Sequence, residues 1–454
     1  MQSRLPGVVW PAVPGQQGLL LAALLKQLEQ SQWLPAAEIE QAQIRQLNAL
    51  TEHARRHSPF HAGRLAGLPP DQTQGLREWL SAIPVMRRED LQKRRADIDC
   101  AWMPPEHGAV SLAQSTGSTG EPVAVRRSGL NGLIWMAMTL REHLWQQRDF
   151  SQSLAIIRAQ FATEDTARRG VSSADWGPPV NHLFASGRSY GLNLQTDILR
   201  QAEWLRQIMP AYLLTYPNNL SALLDLAETD PDQLAGMARL KQVRTIGETL
   251  HDSLRERCRR VLGVGIADVY STQEVGVIAI ECPQGGGYHV MSEGLVFELL
   301  RDDDRPCAAG ETGRVVVTDL HNFATPLIRY DLGDLAEADG PCACGRGLPK
   351  IRRIRGRERN LLRLPDGRRF WPLVGAFGYR DIAPVRQYQI VQRSLERITL
   401  RLAVERPLST TEEQALAEKL VEFLGFRFVV DFDYCTPDIP RGPGGKFEDF
   451  ICEM

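Results

Sequence analysis

Five short stretches hold residue types whose chemistry goes beyond what packing requires. Ser115 to Pro122 reads STGSTGEP, two glycines three apart among four hydroxyl residues, closed by a proline. Glycine lets the chain approach a ligand closely and adopt positive φ, so such a loop can turn N–H and O–H donors toward phosphate oxygens. No lysine follows its last glycine, which sets it apart from a Walker A loop. Tyr270 to Glu274, YSTQE, follows the apolar GVGIADV and places an aromatic ring and a carboxylate at a strand end, suited to a base and to Mg²⁺. In PLIRYDLGD, Asp334 beside Gly333 offers a carboxylate able to accept both hydroxyls of a ribose. In PRGPGGKFEDF, two glycines precede Lys446 near the C-terminus. Taken singly, each has a plain alternative: a solvated loop, a packed tyrosine with a surface glutamate, a turn aspartate, a solvated lysine.

The fifth stretch is divided. Cys282 and His289 flank PQGGGY, and Cys342-Ala-Cys344 follows well downstream. Three sulfurs and an imidazole meet the tetrahedral preference of Zn²⁺. The spacing is irregular and CxC is less diagnostic than CxxC, so reduced structural cysteines are an equal reading, with Cys307 and His321 as reserve ligands.

These residues must be held by a sizeable scaffold. At 454 residues the chain exceeds what one core accommodates, so two or more domains are expected. Residues 15 to 60 carry Leu20, Leu24, Leu28 and Leu47 at helical spacing, punctuated by Pro35, which predicts a helical N-terminal layer. From about 110 to 320, β-branched segments such as SLAIIRA, AYLLTY and VRTIGE alternate with helical ones such as LRQAEWLRQI, arguing for an α/β sheet. GLVFELL and GRVVVTDL read as antiparallel strands, and residues 388 to 430 read strand, strand, helix, strand, a small α+β unit that begins near RIRGRERN. The apolar GLLLAALL at 18 to 25 is too short to cross a bilayer and predicts a buried helix face. A net charge of -2 offers no field for nucleic acid or an anionic membrane, and eight scattered cysteines favour a reducing cytoplasm. The expected partner is a small molecule.

The order STGSTGEP, YSTQE, RYDLGD, RIRGRERN, GPGGK resembles the adenylate-forming superfamily of acyl-CoA synthetases, and within it the phenylacetate-CoA ligase family. IPVMRREDL, VRTIGETL and EC with GGGYHV extend the likeness over roughly residues 80 to 454. The resemblance implies a large N-terminal AMP-binding domain, 1–355, whose first hundred residues are mainly helical, and a small mobile C-terminal α+β lid, 356–454. It implies an acid–thiol ligase that uses ATP, Mg²⁺ and coenzyme A. Ser115, Thr116, Gly117, Ser118, Thr119 and Gly120 would grip the β- and γ-phosphates. Gly247, Glu248 and Thr249 would line the adenine side, with Tyr270, Ser271 and Thr272 near the base, and Glu274 would help hold Mg²⁺. Asp334 would bind the ribose, Arg357 would lie at the hinge, and Lys446 would enter from the lid as a catalytic cation. Some relatives carry zinc at the cysteine and histidine positions, which implies a structural Zn²⁺ on Cys282, His289, Cys342 and Cys344.

Several positions depart from the family pattern. Ser271 and Gln273 replace a glycine and a hydroxyl residue, Arg359 and Asn360 follow the hinge arginine, and Gly444 stands where a serine or threonine is usual. These departures bear on the rate of the first step and on the hinge. The resemblance places the acid near LFASGRSYGL, LLTYPNNL and RTIGE, with Phe184, Ser186, Tyr190, Tyr216 and Gly247 as lining candidates for an aryl or arylalkyl acid. Competing readings are an adenylating enzyme that loads a carrier-protein thiol or an amine, and a relative that binds nucleotide without catalysis. The assembly state is left open, a homodimer included.

Overall fold

The computed structural model describes the chain except residues 69–74, 115–121, 160–169, 358–360, 371, 373–378, 380–381, 437 and 442–446. Two long helices open it, α1 (Gln16–Ser31) and α2 (Ala36–His57), separated at Pro35, whose ring cannot supply the N–H that a continuous helix needs. Ile44, Leu47, Leu50 and Ala54 share one face of α2 and pack on Leu320 and Phe323. Three short helices follow, α3 (Pro59–Arg64), α4 (Leu76–Ser81) and α5 (Arg88–Ile98). A hairpin, β1 (Ser111–Gln114) with β2 (Ala124–Arg127), then leads into α6 (Gly129–Trp145), which is capped by Ser128.

The body is one twelve-stranded sheet of mixed direction. Its parallel half comprises β3 (Leu154–Arg158), β5 (Ser189–Asn193), β6 (Tyr212–Thr215), β7 (Gln242–Ile246) and β8 (Gly265–Thr272), with β4 (Val171–Ser173) antiparallel at the edge. The crossovers from β5 to β6, β6 to β7 and β7 to β8 are helical: α7 (Ile198–Ile208), α8 (Pro217–Thr229) and α9 (Asp252–Leu262). The antiparallel half continues through β9 (Gly276–Glu281), β10 (Tyr288–Val290), β11 (Leu295–Leu300), β12 (Thr312–Asp319), β13 (Tyr330–Ala338) and β14 (Lys350–Arg357). The apolar runs of β6 and β12 suit strands covered on both faces. No described helix is long and apolar enough to cross a membrane.

After the two-stranded pair β15 (Leu362–Arg363) and β16 (Arg369–Phe370), a four-stranded sheet has its own core. Its order is β19 (Val429–Tyr434), β18 (Arg397–Val404), β17 (Val385–Gln392), β20 (Phe450–Cys452), crossed by α10 (Thr410–Leu424). A capping box joins Ser409 to Glu412, and Gly425 closes the helix at φ 65°. Leu416, Leu420 and Leu424 are buried along one stripe, each worth about 1.5–3 kcal/mol relative to exposure.

Candidate active site

A cavity of about 550 Å³ opens where β6, β7 and β8 end, between the large sheet and the segment before β20. In α/β sheets the carboxyl ends of parallel strands splay into loops, and there the chain can surround a ligand. Tyr270, near the end of β8, donates its hydroxyl to Asp334 Oδ2 at 2.7 Å. Arg357 Nε lies 3.2 Å from Asp334 Oδ1, and the two residues face each other across β13 and β14. Burial first, then the Asp334 charge, pushes the Tyr270 hydroxyl well above its usual range, so it remains a donor. Asp334 and then Glu274 raise the guanidinium of Arg357, which stays a cation. A carboxylate thus sits between an aromatic hydroxyl and a fixed positive charge, with lone pairs left for a diol.

Gly247, Glu248, Thr249, Ser271, Thr272 and Glu274 line the same cavity. Gly247 takes φ 78°, a backbone region that glycine enters without cost, and this turns Glu248 back toward α8. One Glu248 oxygen accepts the Asn218 N–H at 3.0 Å, the other the Phe447 N–H at 2.9 Å. The carboxylate of Glu274 is buried, with Arg88 NH1 at 3.4 Å. Arg88, Asn218, Asp268 and Phe447 also line the cavity, and the sequence reading assigned none of them a role. Asp268 left a signal, an acid inside the apolar GVGIADV. It accepts Thr245 Oγ1–H at 2.6 Å and the Tyr288 hydroxyl at 2.9 Å, and burial raises its carboxyl above the ordinary range.

The expectations for Ser115 to Gly120, Arg359, Asn360, Gly444 and Lys446 lie outside the described residues. The flanks are placed: β1 and β2 lead into and out of the glycine loop, and Phe447 to Phe450 line the cavity. Of the substrate candidates only Gly247 lines it. Phe184 stacks on Phe150 at 5.1 Å between ring centroids, the Ser186 hydroxyl accepts the Trp176 N–H at 2.9 Å, and Tyr190 and Tyr216 pack in the main core. Ring and hydroxyl types could not separate core from lining, because both uses need the same residues.

Cys282, His289, Cys342 and Cys344 come together away from these groups, their ligand atoms all within 4.8 Å of one another. Cys282 Sγ and Cys342 Sγ are 3.8 Å apart, and Cys344 Sγ lies 3.2 Å from His289 Nε2. A tetrahedron with metal–sulfur bonds of about 2.3 Å has edges of about 3.8 Å, so the sulfur spacing fits zinc. His289 Nδ1 faces the Leu348 carbonyl at 3.3 Å, and donating there leaves the Nε2 lone pair toward the sulfurs. Cys307 lies instead at the β11–β12 hairpin, its N–H on the Leu299 carbonyl, and His321 follows the end of β12, its N–H on Asp319 Oδ1.

No protein-family model matches the chain. It is similar to two curated phenylacetate-coenzyme A ligases. With that of Escherichia coli K12 it is 26% identical over 431 residues, covering 90% of this chain and 93% of the relative. With that of Thermus thermophilus it is 23% identical, covering 86% and 87%. Among solved structures it superimposes on 2-hydroxyisobutyryl-CoA ligase in the postadenylation state, bound to an acyl-AMP, with a TM-score of 0.71, 19% identity and coverage of 94% and 92%. Against the same ligase in its thioesterification state, with CoA bound, the TM-score is 0.60 at 20% identity, covering 93% and 91%.

Proposed function

We propose, for a chain that belongs with the phenylacetate-CoA ligase-like adenylate-forming enzymes, that it activates a carboxylic acid with ATP and passes the acyl group to the thiol of coenzyme A. The observation that carries this reading is one cavity joining Tyr270, Asp334 and Arg357 to the Gly247–Thr249 turn, to Glu274 and to the segment beside Lys446. In the first half-reaction a carboxylate oxygen of the acid bonds to the α-phosphorus, the bond to the β-phosphate bridge breaks, and pyrophosphate leaves. In the second, the CoA sulfur bonds to the acyl carbon and AMP departs with the electrons of the mixed anhydride bond.

Each residue has work that suits its chemistry. Asp334 accepts the ribose hydroxyls, and the Tyr270 ring lies against the base. Ser115 to Gly120 offer backbone and hydroxyl donors to the β- and γ-phosphates. Lys446 offsets charge on the phosphates during adenylation. Glu274 is the carboxylate that would hold Mg²⁺, an ion that neutralises phosphate charge when bound. Cys282, His289, Cys342 and Cys344 would hold a structural Zn²⁺ that ties the β9–β10 turn to the loop before β14, with no open position for chemistry. The small C-terminal unit turns between the two halves of the reaction. An aryl or arylalkyl acid is the substrate class, by likeness to the two relatives. ATP-pyrophosphate exchange against a panel of aryl, arylalkyl, short aliphatic and hydroxy acids tests the class. Product analysis with CoA, a carrier-protein thiol and an amine tests the acceptor.

A further inference from the structure

The C-terminal unit meets the large one through a clasp on the backbone of Phe447. The Phe447 N–H donates to Glu248 Oε1 at 2.9 Å, and its carbonyl accepts from the Asn218 side-chain amide at 3.1 Å. The second oxygen of Glu248 accepts the Asn218 N–H at 3.0 Å, which closes a ring of three residues drawn from three parts of the chain. Asn218 follows Pro217 in the first turn of α8, so its N–H is one that the helix itself leaves unsatisfied. Glu248 therefore does two things at once, capping α8 with charge and reaching across to the small unit. One charged acceptor on Glu248 and one amide donor on Asn218 hold Phe447 by its backbone N–H and its C=O, which fixes the orientation of the chain there as well as its position.

Phe447 is the neighbour of Lys446 in sequence. We propose that Glu248 and Asn218 are positioning residues for the adenylation half-reaction, clasping the chain at the position beside Lys446 and letting go when the small unit turns for thiol transfer. The resemblance assigned Glu248 to the adenine side; each of its oxygens accepts one backbone N–H. The proposal rests on the acid-activation reading.

The test uses full-length wild type, Glu248→Gln and Asn218→Ser. Glutamine keeps the size but offers one acceptor to two N–H donors, and serine removes only the bond to the Phe447 carbonyl while keeping the N–H toward Glu248. Acid-dependent ATP-pyrophosphate exchange reads the first half. Consumption of a chemically made acyl-adenylate by CoA reads the second, and hydrogen exchange of the peptide holding Phe447 reads the clasp without any activity. The expected result is a ten- to hundred-fold slower exchange for Glu248→Gln and a smaller loss for Asn218→Ser. The KM for ATP and the thiol step should stay within two-fold, and the Phe447 amide should lose protection. A raised KM for ATP at unchanged kcat would return Glu248 to the adenine and overturn the proposal. Equal losses in both halves would reduce the pair to a helix cap, and an unprotected Phe447 amide in the wild type would remove the clasp. A protected amide in a wild type that exchanges pyrophosphate with no acid would instead sink the activation reading, and the positioning role with it.

Discussion

Replacing Asp334 tests the proposed nucleotide site most directly, because two partners of this carboxylate stand among the described residues. Its oxygens take the Tyr270 hydroxyl at 2.7 Å and face Arg357 Nε at 3.2 Å. Asp334→Ala removes the acceptor of a ribose diol and also strands the buried Tyr270 hydroxyl, so both ATP affinity and the stability of the ligand-free protein fall. Asp334→Asn separates the two effects. One amide oxygen remains for Tyr270, but the charge is gone and a single acceptor faces two ribose hydroxyls. Hydrogen bonds to charged groups contribute about 1.5–3 kcal/mol each, and part of this is recovered by water. We expect Asp334→Asn to weaken ATP binding by about 1–3 kcal/mol, roughly five- to 150-fold in Kd. Its melting temperature should stay closer to wild type than that of Asp334→Ala. Calorimetric titration with ATP reads the first quantity and thermal unfolding the second. ATP affinity within two-fold of wild type for both variants would refute the assignment, whatever happened to stability.

Three further outcomes follow from other groups. Protein purified without chelator should contain about one zinc per chain, and Cys344→Ser should lower thermal stability before it affects either half-reaction; elemental analysis that finds no metal would refute this. Lys446→Ala should slow adenylation a hundred-fold or more, about 3 kcal/mol of barrier, while an acyl-adenylate supplied from outside is still consumed by CoA at near the normal rate, both read by stopped assays of the separate halves. Asp449, half-buried beside the clasp, has its carboxyl lifted to about 7 by removal from solvent, then by Glu248 and Glu448, against the opposing Arg441. A raised value means the folded protein favours the proton, with Glu248 across the clasp adding to the effect of burial, so this contribution is whole near pH 4 and lost as pH rises through about 7. The ratio of adenylation to thiol transfer should fall between pH 6 and 8, and Asp449→Asn should flatten that dependence in a paired pH profile.

Local order was legible from residue types alone. Pro35 marked the break between α1 and α2, and the strand, strand, helix, strand order of residues 388 to 430 appears as β17, β18, α10 and β19. GLVFELL and GRVVVTDL pair antiparallel as β11 and β12. Such features are written in periodicity and caps, which act over a few residues. YSTQE and RYDLGD could be nominated because each carries its chemistry in its own side chains, whereas the Gly247–Thr249 turn came only through the family resemblance. What tertiary structure decided is which nominees meet. Tyr270 and Asp334 lie 64 residues apart and share a hydrogen bond, while Phe184, Ser186, Tyr190 and Tyr216 resemble lining residues by type and pack elsewhere. The bond from Phe447 to Glu248 spans 199 residues and uses a backbone N–H. Every residue but proline carries that group, so no side chain at 447 could announce the contact. Side-chain type and spacing determine which groups can do chemistry and which face is buried; the crossing of strands and the docking of the small unit determine the distances between them.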